Sequence, residues 1–267
     1  MLLKLTVLIA VLAAVVAQPA AADNGVRYYL SLGDSLAAGF EPTLPPGENF
    51  GTEGYADQLY ALKRAQIPQL KLVKLGCGGE TTGSMSDPFP YEGRGDHFFC
   101  SFPHGSQLAE ALNFLHAHKH AVAFVTIDIG ANDVFTGVPV PMIQANLASI
   151  LLQLRNAAGP DVRIVGMNYY DPFLPQAWSQ GGLPALQAEI AGVTGFNDQL
   201  ESVYSAVGDP VADVESAFSV TDTTLVNGTP LDVLRECAWT WFCTVGDIHA
   251  NAAGYGVIAQ AFAAALL

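Results

Sequence analysis

Four short segments of the chain hold side chains able to carry out nucleophilic chemistry. Ser35 lies in Gly33-Asp34-Ser35-Leu36, after the β-rich residues 26–30 and before the small residues Ala37 and Ala38. Strand, tight turn and helix start is the reading of that order. It sets a hydroxyl beside the backbone N–H groups of a helix N-terminus, where a serine can attack an electrophile and the oxyanion that develops finds donors. Serine is also a favoured N-cap, so capping is the plainer use of the same residue. Gly76-Cys77-Gly78-Gly79 has three glycines in four positions, which let backbone approach a ligand closely; an ordinary turn has the same composition. Asn132, in Gly130-Ala131-Asn132-Asp133, follows an apolar run and offers an amide donor, although these are good turn residues too. His249, in Gly246-Asp247-Ile248-His249, can serve Ser35 as a general base. Asp34 and Asp133 flank such residues and read as groups that shape loops.

A basic imidazole needs an acceptor on its far nitrogen. Asp247, two residues before His249, is one source; a main-chain carbonyl in 244–247 is another; a distant acid is a third.

Strand-like runs at 26–32, 70–75, 121–129, 162–169 and 210–214 alternate with helical segments at 55–65, 106–117, 142–158, 183–206 and 251–265. Ile143, Leu147, Ile150, Leu151 and Leu154 recur at three- and four-residue steps, the period of an amphipathic helix. The strands are continuous apolar runs, which suits a parallel sheet covered on both faces. The rhythm predicts a doubly wound α/β sandwich. Long loops are expected at 41–54, 87–105 and 171–184, and in open α/β sheets ligands bind beyond the carboxyl ends of the strands, where such loops gather.

The four segments, in this order, resemble the SGNH hydrolases, the GDSL-type esterases and lipases. The likeness runs from about Tyr28 to Tyr255. It implies a three-layer α/β/α fold of flavodoxin-like type with a central parallel sheet, and hydrolysis of carboxylic esters without a metal or organic cofactor. It also implies Ser35 as nucleophile, His249 as base and an oxyanion hole made of the Ser35 N–H, the Gly79 N–H and the Asn132 side chain. Two positions depart from the family pattern. Lys74 stands where its second block opens with Asn, and Gly246 stands where it commonly places an Asp three residues before the His. Asp247 is then the candidate third member. The Gly33-x-Ser35-x-Ala37 run lacks the second glycine of the α/β-hydrolase elbow. A carbohydrate O-deacetylase, a phospholipase and a non-catalytic glycan- or lipid-binding protein are alternatives on the same fold.

Residues 1–22 read as a secretory leader: Lys4, an apolar run over 5–17, and Ala20-Ala21-Ala22 at the cleavage point. An uncleaved anchor is the other reading. Residues 23–267 are expected to form a single domain, secreted and monomeric, acting on a small-molecule or lipid ester without stable membrane insertion. A net charge of −14 repels phosphate backbones and argues against a nucleic-acid partner. Cys77, Cys100, Cys237 and Cys243 allow three pairings. Cys77–Cys100 and Cys237–Cys243 are expected, each closing an irregular loop. Metal binding by them is the weaker reading, since no Cys-x-x-Cys occurs. His116, His118 and His120 fall at a helix end before a strand, where polar or cationic groups suit the helix C-terminus better than a metal. Tyr169, Tyr170, Phe173, Leu174 and Trp178 line an acyl pocket or fill core beneath a loop. Trp239, Trp241 and Phe242 lie within the 237–243 loop upstream of His249, so that bridge is expected to hold the histidine segment. Asn227-Gly228-Thr229 matches a glycosylation sequon.

Overall fold

The computed structural model describes residues 25–45, 47–87 and 100–267; the leader read at residues 1–22 lies outside them. The five apolar runs become β1 (Arg27–Gly33), β2 (Leu70–Lys74), β3 (Val122–Asp128), β4 (Arg163–Met167) and β5 (Val211–Ala212). They pair in parallel in the order β2-β1-β3-β4-β5. The central strands are buried over nearly their whole length, as a sheet covered on both faces requires. Two of the polar side chains buried in these strands satisfy each other: Tyr29 Oη and Thr126 Oγ1 hydrogen-bond at 2.8 Å across β1 and β3.

The helices are α1 (Ser35–Ala38), α2 (Tyr55–Arg64), α3 (Gln107–Ala117), α4 (Ala131–Phe135), α5 (Val140–Ala158), α6 (Leu174–Val207), α7 (Val214–Phe218), α8 (Leu231–Trp239), α9 (Phe242–Val245) and α10 (Ala252–Ala265). α2 and α10 pack against each other in one layer; α3, α5 and α6 pack in sequence in the other. The fully buried Ile143, Leu147, Ile150, Leu151 and Leu154 of α5 form the predicted apolar stripe. A short antiparallel ribbon, β6 (Leu225–Val226) and β7 (Thr229–Pro230), turns through Asn227 and Gly228, which places the sequon on a hairpin tip.

Two expectations are corrected. The stretch 171–184 is not a loop, because α6 starts at Leu174 and continues past a break at Gly182 (φ 60°, ψ −151°), with Pro184 inside the second arm. The glycine and proline that argued for a loop instead set a sharp bend between two helical arms. The short α4, α7, α8 and α9 are additional to the expected helices, whereas α1 is the helix start read after the serine turn. The alternative use of Ser35 as a helix cap is not taken up: the cap of α1 is Asp34, whose carboxylate accepts the Leu36 N–H at 2.9 Å, and Ser35 is the first helical residue.

Both expected disulfides are present, Cys77–Cys100 and Cys237–Cys243. Among the described residues no helix is long and apolar enough to cross a membrane, and no group of three His, Cys, Asp or Glu is arranged to hold a metal. His116 lies in the last turn of α3 and His118 caps it.

An ion pair ties the end of α5 to the start of β5. Arg155 donates to the Gly159 carbonyl at 3.0 Å and to the Asp209 carboxylate. Burial pushes the Asp209 carboxyl up, against the hydrogen bond and charge of Arg155. Removing the cation leaves a buried carboxyl that must protonate or stay charged without a partner. Arg155→Met should therefore destabilise by roughly 2–4 kcal/mol at pH 8 and by less at pH 5, where protons are available to neutralise Asp209. Denaturant melts at both pH values check this, and Asp209→Asn in the same chain should recover much of the loss.

Candidate active site

The site forms where β1 and β3 end and the chain leaves the sheet in opposite directions. This is the switch point of the strand order, the place in such sheets where a crevice opens. β1 runs into Gly33 (φ +134°), whose Cα lies so near β3 that a Cβ would stand 2.2 Å from the Asp128 carbonyl oxygen. No larger residue fits that approach. It brings Ser35, 8 % exposed, onto the first turn of α1 at the crevice. Beneath it lie two buried acids. Burial pushes the Asp34 carboxyl up and the Asp128 carboxyl well above its ordinary range, with the charge of Asp34 adding to the rise at Asp128. The Tyr55 hydroxyl donates to Asp128.

His249 reaches the same point from the other end of the chain. Its Nε2 is 2.7 Å from Ser35 Oγ, and its Nδ1 is 2.7 Å from Asp247 Oδ1. Of the three supports considered for the imidazole, the Asp247 carboxylate occupies the position. Asp247 Oδ1 also accepts the His249 backbone N–H at 2.9 Å. That tight turn, following the left-handed Gly246 that ends α9, lets an acid only two residues away serve the ring. Burial acts to raise the Asp247 carboxyl, but the hydrogen bonds and charge of His249 outweigh it and hold the group below its ordinary value. A carboxylate accepts only, so Nδ1 carries the proton and Nε2 is left to accept from the serine hydroxyl. Phe40 packs on the ring at 4.3 Å between centroids, and Tyr170 Oη donates to the Ile248 carbonyl at 3.0 Å.

The amide donors come from two loops that grip each other. After β2 the chain continues alongside β1, with Leu75 N–H on Ser31 O at 2.8 Å and Cys77 N–H on Gly33 O at 3.0 Å. Gly76 lies against Ala37 and Ala38 of α1, where a Cβ would stand 2.5 Å from the Ala38 nitrogen. This seats Gly78 and Gly79 beside the serine turn. After β3, Asn132 Nδ2 donates to the Glu80 carbonyl at 3.0 Å. Next to it the buried Asp133 accepts the Thr82 N–H at 2.8 Å and the Thr82 hydroxyl at 2.6 Å. Asp34 and Asp133 thus shape loops, as their positions suggested. Within the described residues no acceptor takes the backbone N–H of Ser35 or Gly79. Lys74, the departure in the second block, bonds Asp57 at 2.8 Å and so serves the scaffold.

Ser35 and His249 open into a cavity of about 370 Å³. Its walls are mainly apolar, from Val134 and Phe135 of α4, Tyr169, Tyr170 and Phe173 after β4, and Val193 and Phe196 of α6. The aromatic run after β4 therefore divides: Tyr169, Tyr170 and Phe173 line the cavity, while Leu174 is buried in the core and Trp178 packs against it. Sequence reasoning missed the contribution of α6. The signal was present, since Glu189, Val193 and Phe196 recur at helical spacing in a segment read as helix. Asn132 and Asp171 line the cavity too, and burial pushes the Asp171 carboxyl up to about 7. Phe135, Phe173 and Phe242 meet edge-on at the rim.

A hydroxyl hydrogen-bonded to an imidazole that an ionised carboxylate orients, beside free amide donors and an apolar cavity, is an arrangement able to transfer acyl groups. Comparisons with known proteins agree on the architecture. No curated protein matches the chain. Solved structures with the same fold include a lipase from a goat rumen metagenome and an M. smegmatis aryl esterase, each 17 % identical with a TM-score of 0.55. Each alignment covers 90 % of this chain and 97 % of the other. A carbohydrate acetylesterase from Sinorhizobium meliloti aligns at 15 % identity and a TM-score of 0.53, over 89 % of this chain and 97 % of its own. The model of the GDSL-like lipase/acylhydrolase family matches residues 31–257. That span holds the serine turn, both donor loops and the histidine segment, and the chain belongs to this family.

Proposed function

We propose that the chain is a secreted serine esterase that hydrolyses carboxylic esters with an apolar acyl group. The observation that carries this reading is the continuous line from Asp247 through His249 to Ser35, two contacts of 2.7 Å each, ending in a mainly apolar cavity. Nε2 of His249 takes the Ser35 proton as Oγ attacks the ester carbonyl carbon. The carbonyl oxygen becomes an oxyanion, held by the N–H groups of Ser35 and Gly79 and by Asn132 Nδ2. The imidazolium, stabilised by Asp247, returns its proton to the departing alcohol, leaving Ser35 acylated. Water then attacks the acyl-enzyme with His249 as base, and the carboxylic acid leaves. The leader at residues 1–22 and the two disulfides support export, since such bonds persist in oxidising compartments.

Ser35→Ala should lower kcat on p-nitrophenyl butyrate by at least ~10³-fold with the fold intact, and Asp247→Asn should lower it by about 10²–10⁴-fold. Equal rates for wild type and Ser35→Ala would turn the reading towards a binding protein.

The cavity generates a pH prediction. With its carboxyl at about 7, Asp171 is neutral below that pH and charged above it. A charge in an apolar pocket opposes an apolar acyl chain, so KM for p-nitrophenyl butyrate should rise several-fold between pH 6 and pH 8.5. Asp171→Asn should flatten that rise.

The 237–243 bridge bears on the histidine segment through backbone. Trp241, inside the bridged loop, donates its N–H to the His249 carbonyl at 2.9 Å, and Thr240 pairs with Ala250. The pair Cys237→Ser and Cys243→Ser should cost roughly 2 kcal/mol of stability and lower kcat. An unchanged melting temperature and unchanged rate would separate the bridge from the histidine.

A further inference from the structure

Gln107 and Glu80 play no part in the chemistry just described, yet both are buried within the machinery. Gln107, the first residue of α3, is fully buried. Its amide is wholly committed. Oε1 accepts the Gly33 N–H at 2.7 Å, while Nε2 donates to the Gly33 carbonyl at 2.9 Å and to Glu80 Oε2 at 3.0 Å. An amide has two N–H donors, and both are used. Gly33 lies two residues before Ser35. Glu80 directly follows Gly79, and its own carbonyl receives Asn132 Nδ2 at 3.0 Å. The remaining carboxyl oxygen of Glu80 takes the Ser84 hydroxyl, and Ser84 Oγ in turn accepts the Thr81 N–H at 2.8 Å. Burial pushes the Glu80 carboxyl up to about 7, against the hydrogen bonds from Ser84 and Gln107.

We propose that Gln107 and Glu80 are positioning residues that fix the spacing between the Ser35 nucleophile and the oxyanion donors Gly79 and Asn132. The inference rests on the esterase reading above and extends it to side chains that never touch substrate. Its logic is geometric. Donors act on an oxyanion only when they lie about 2.7–3.1 Å from where it forms, and a misplacement of about 1 Å can cost ~10²-fold in rate. Ser35 is carried by the first turn of α1 after β1, Gly79 by the loop after β2 and Asn132 by α4 after β3. Backbone contacts join the first two through Cys77, and a side-chain contact joins the last two through the Glu80 carbonyl. Among the described residues, only Gln107 bonds both the backbone of the serine turn and the Glu80 side chain, and it does so with a single rigid amide plane. Because Gln107 grips both the N–H and the C=O of Gly33, the turn cannot rotate without breaking one of these bonds. Supporting groups of this kind decide whether a site keeps its productive geometry.

The test measures kcat and KM separately on p-nitrophenyl butyrate, with melting temperature and near-UV circular dichroism, for wild type, Gln107→Met, Glu80→Ala, Glu80→Gln and Ser84→Ala. The expected result is a 10- to 100-fold lower kcat in Gln107→Met and Glu80→Ala with KM within about twofold. Glu80→Gln, whose amide keeps an acceptor for Gln107 and a donor for Ser84, should stay within about threefold of wild type. A merely structural role would give no such recovery. Should Gln107→Met or Glu80→Ala fail to fold, Ser84→Ala removes a single hydroxyl from the same junction and should lower kcat severalfold. Folded variants with wild-type kcat would overturn the proposal, as would losses confined to KM. A wild-type protein without ester turnover would overturn the esterase reading and this inference together, whereas an active wild type with unaffected variants overturns only this inference.

Discussion

The structure depends on the parting of the chain at the carboxyl ends of β1 and β3. These two strands are neighbours in a parallel sheet, and the segments that follow them leave towards opposite layers. Their ends cannot be closed over by either layer, so a crevice is unavoidable there. Gly33 brings the backbones into near contact just before they separate. Ser35 on one side and Asn132 on the other therefore follow directly from the ends of two adjacent strands of the buried sheet. Gly79, the third donor of the proposed oxyanion hole, arrives on the extension of β2 that runs beside β1.

What the sheet does not supply is the imidazole. His249 comes from the segment before α10, more than two hundred residues from Ser35, and it is fixed by several weak contacts. Asp247 folds back onto it, Phe40 covers one side of the ring, Tyr170 holds the preceding carbonyl, and the 237–243 loop pairs with its backbone. Rigid donors and a base seated on a loop make a reasonable division. In the proposed reaction the oxyanion must find its donors already in place, whereas a proton acceptor tolerates small displacements as the acyl group enters and leaves.

The sequence was most legible where burial leaves one solution. β1, β3 and β4 are mostly apolar because both faces are covered, and their positions followed from those runs. The four chemical segments were legible because each falls at the end of such a strand or before the last helix. α6 was hidden at its start, since Gly181, Gly182 and Pro184 are loop residues in most settings; here Gly182 is a non-helical break and its neighbours belong to the two helical arms on either side. α8 and α9 were hidden because they are short, and because α8 buries the acids Asp232 and Glu236 while leaving Leu234 exposed, so its polarity pattern does not mark the covered face. Asp247 could not be settled from spacing: an acid two residues away reaches the ring only through the tight turn that its own hydrogen bond to the His249 N–H creates. Gln107 was invisible for a different reason. Its role depends on contacts with residues 74 and 27 positions away, and a helix-start glutamine carries no local sign of them.

The most direct measurement is the structure of the protein after reaction with a p-nitrophenyl phosphonate that carries a short alkyl chain. The account predicts a covalent bond from Ser35 Oγ to phosphorus, with a phosphonyl oxygen within hydrogen-bond distance of the Gly79 N–H and Asn132 Nδ2 and the alkyl chain among Phe173, Val193 and Phe196. An unmodified Ser35 in protein that still turns over esters, or a phosphonyl oxygen facing away from both donors, would contradict it.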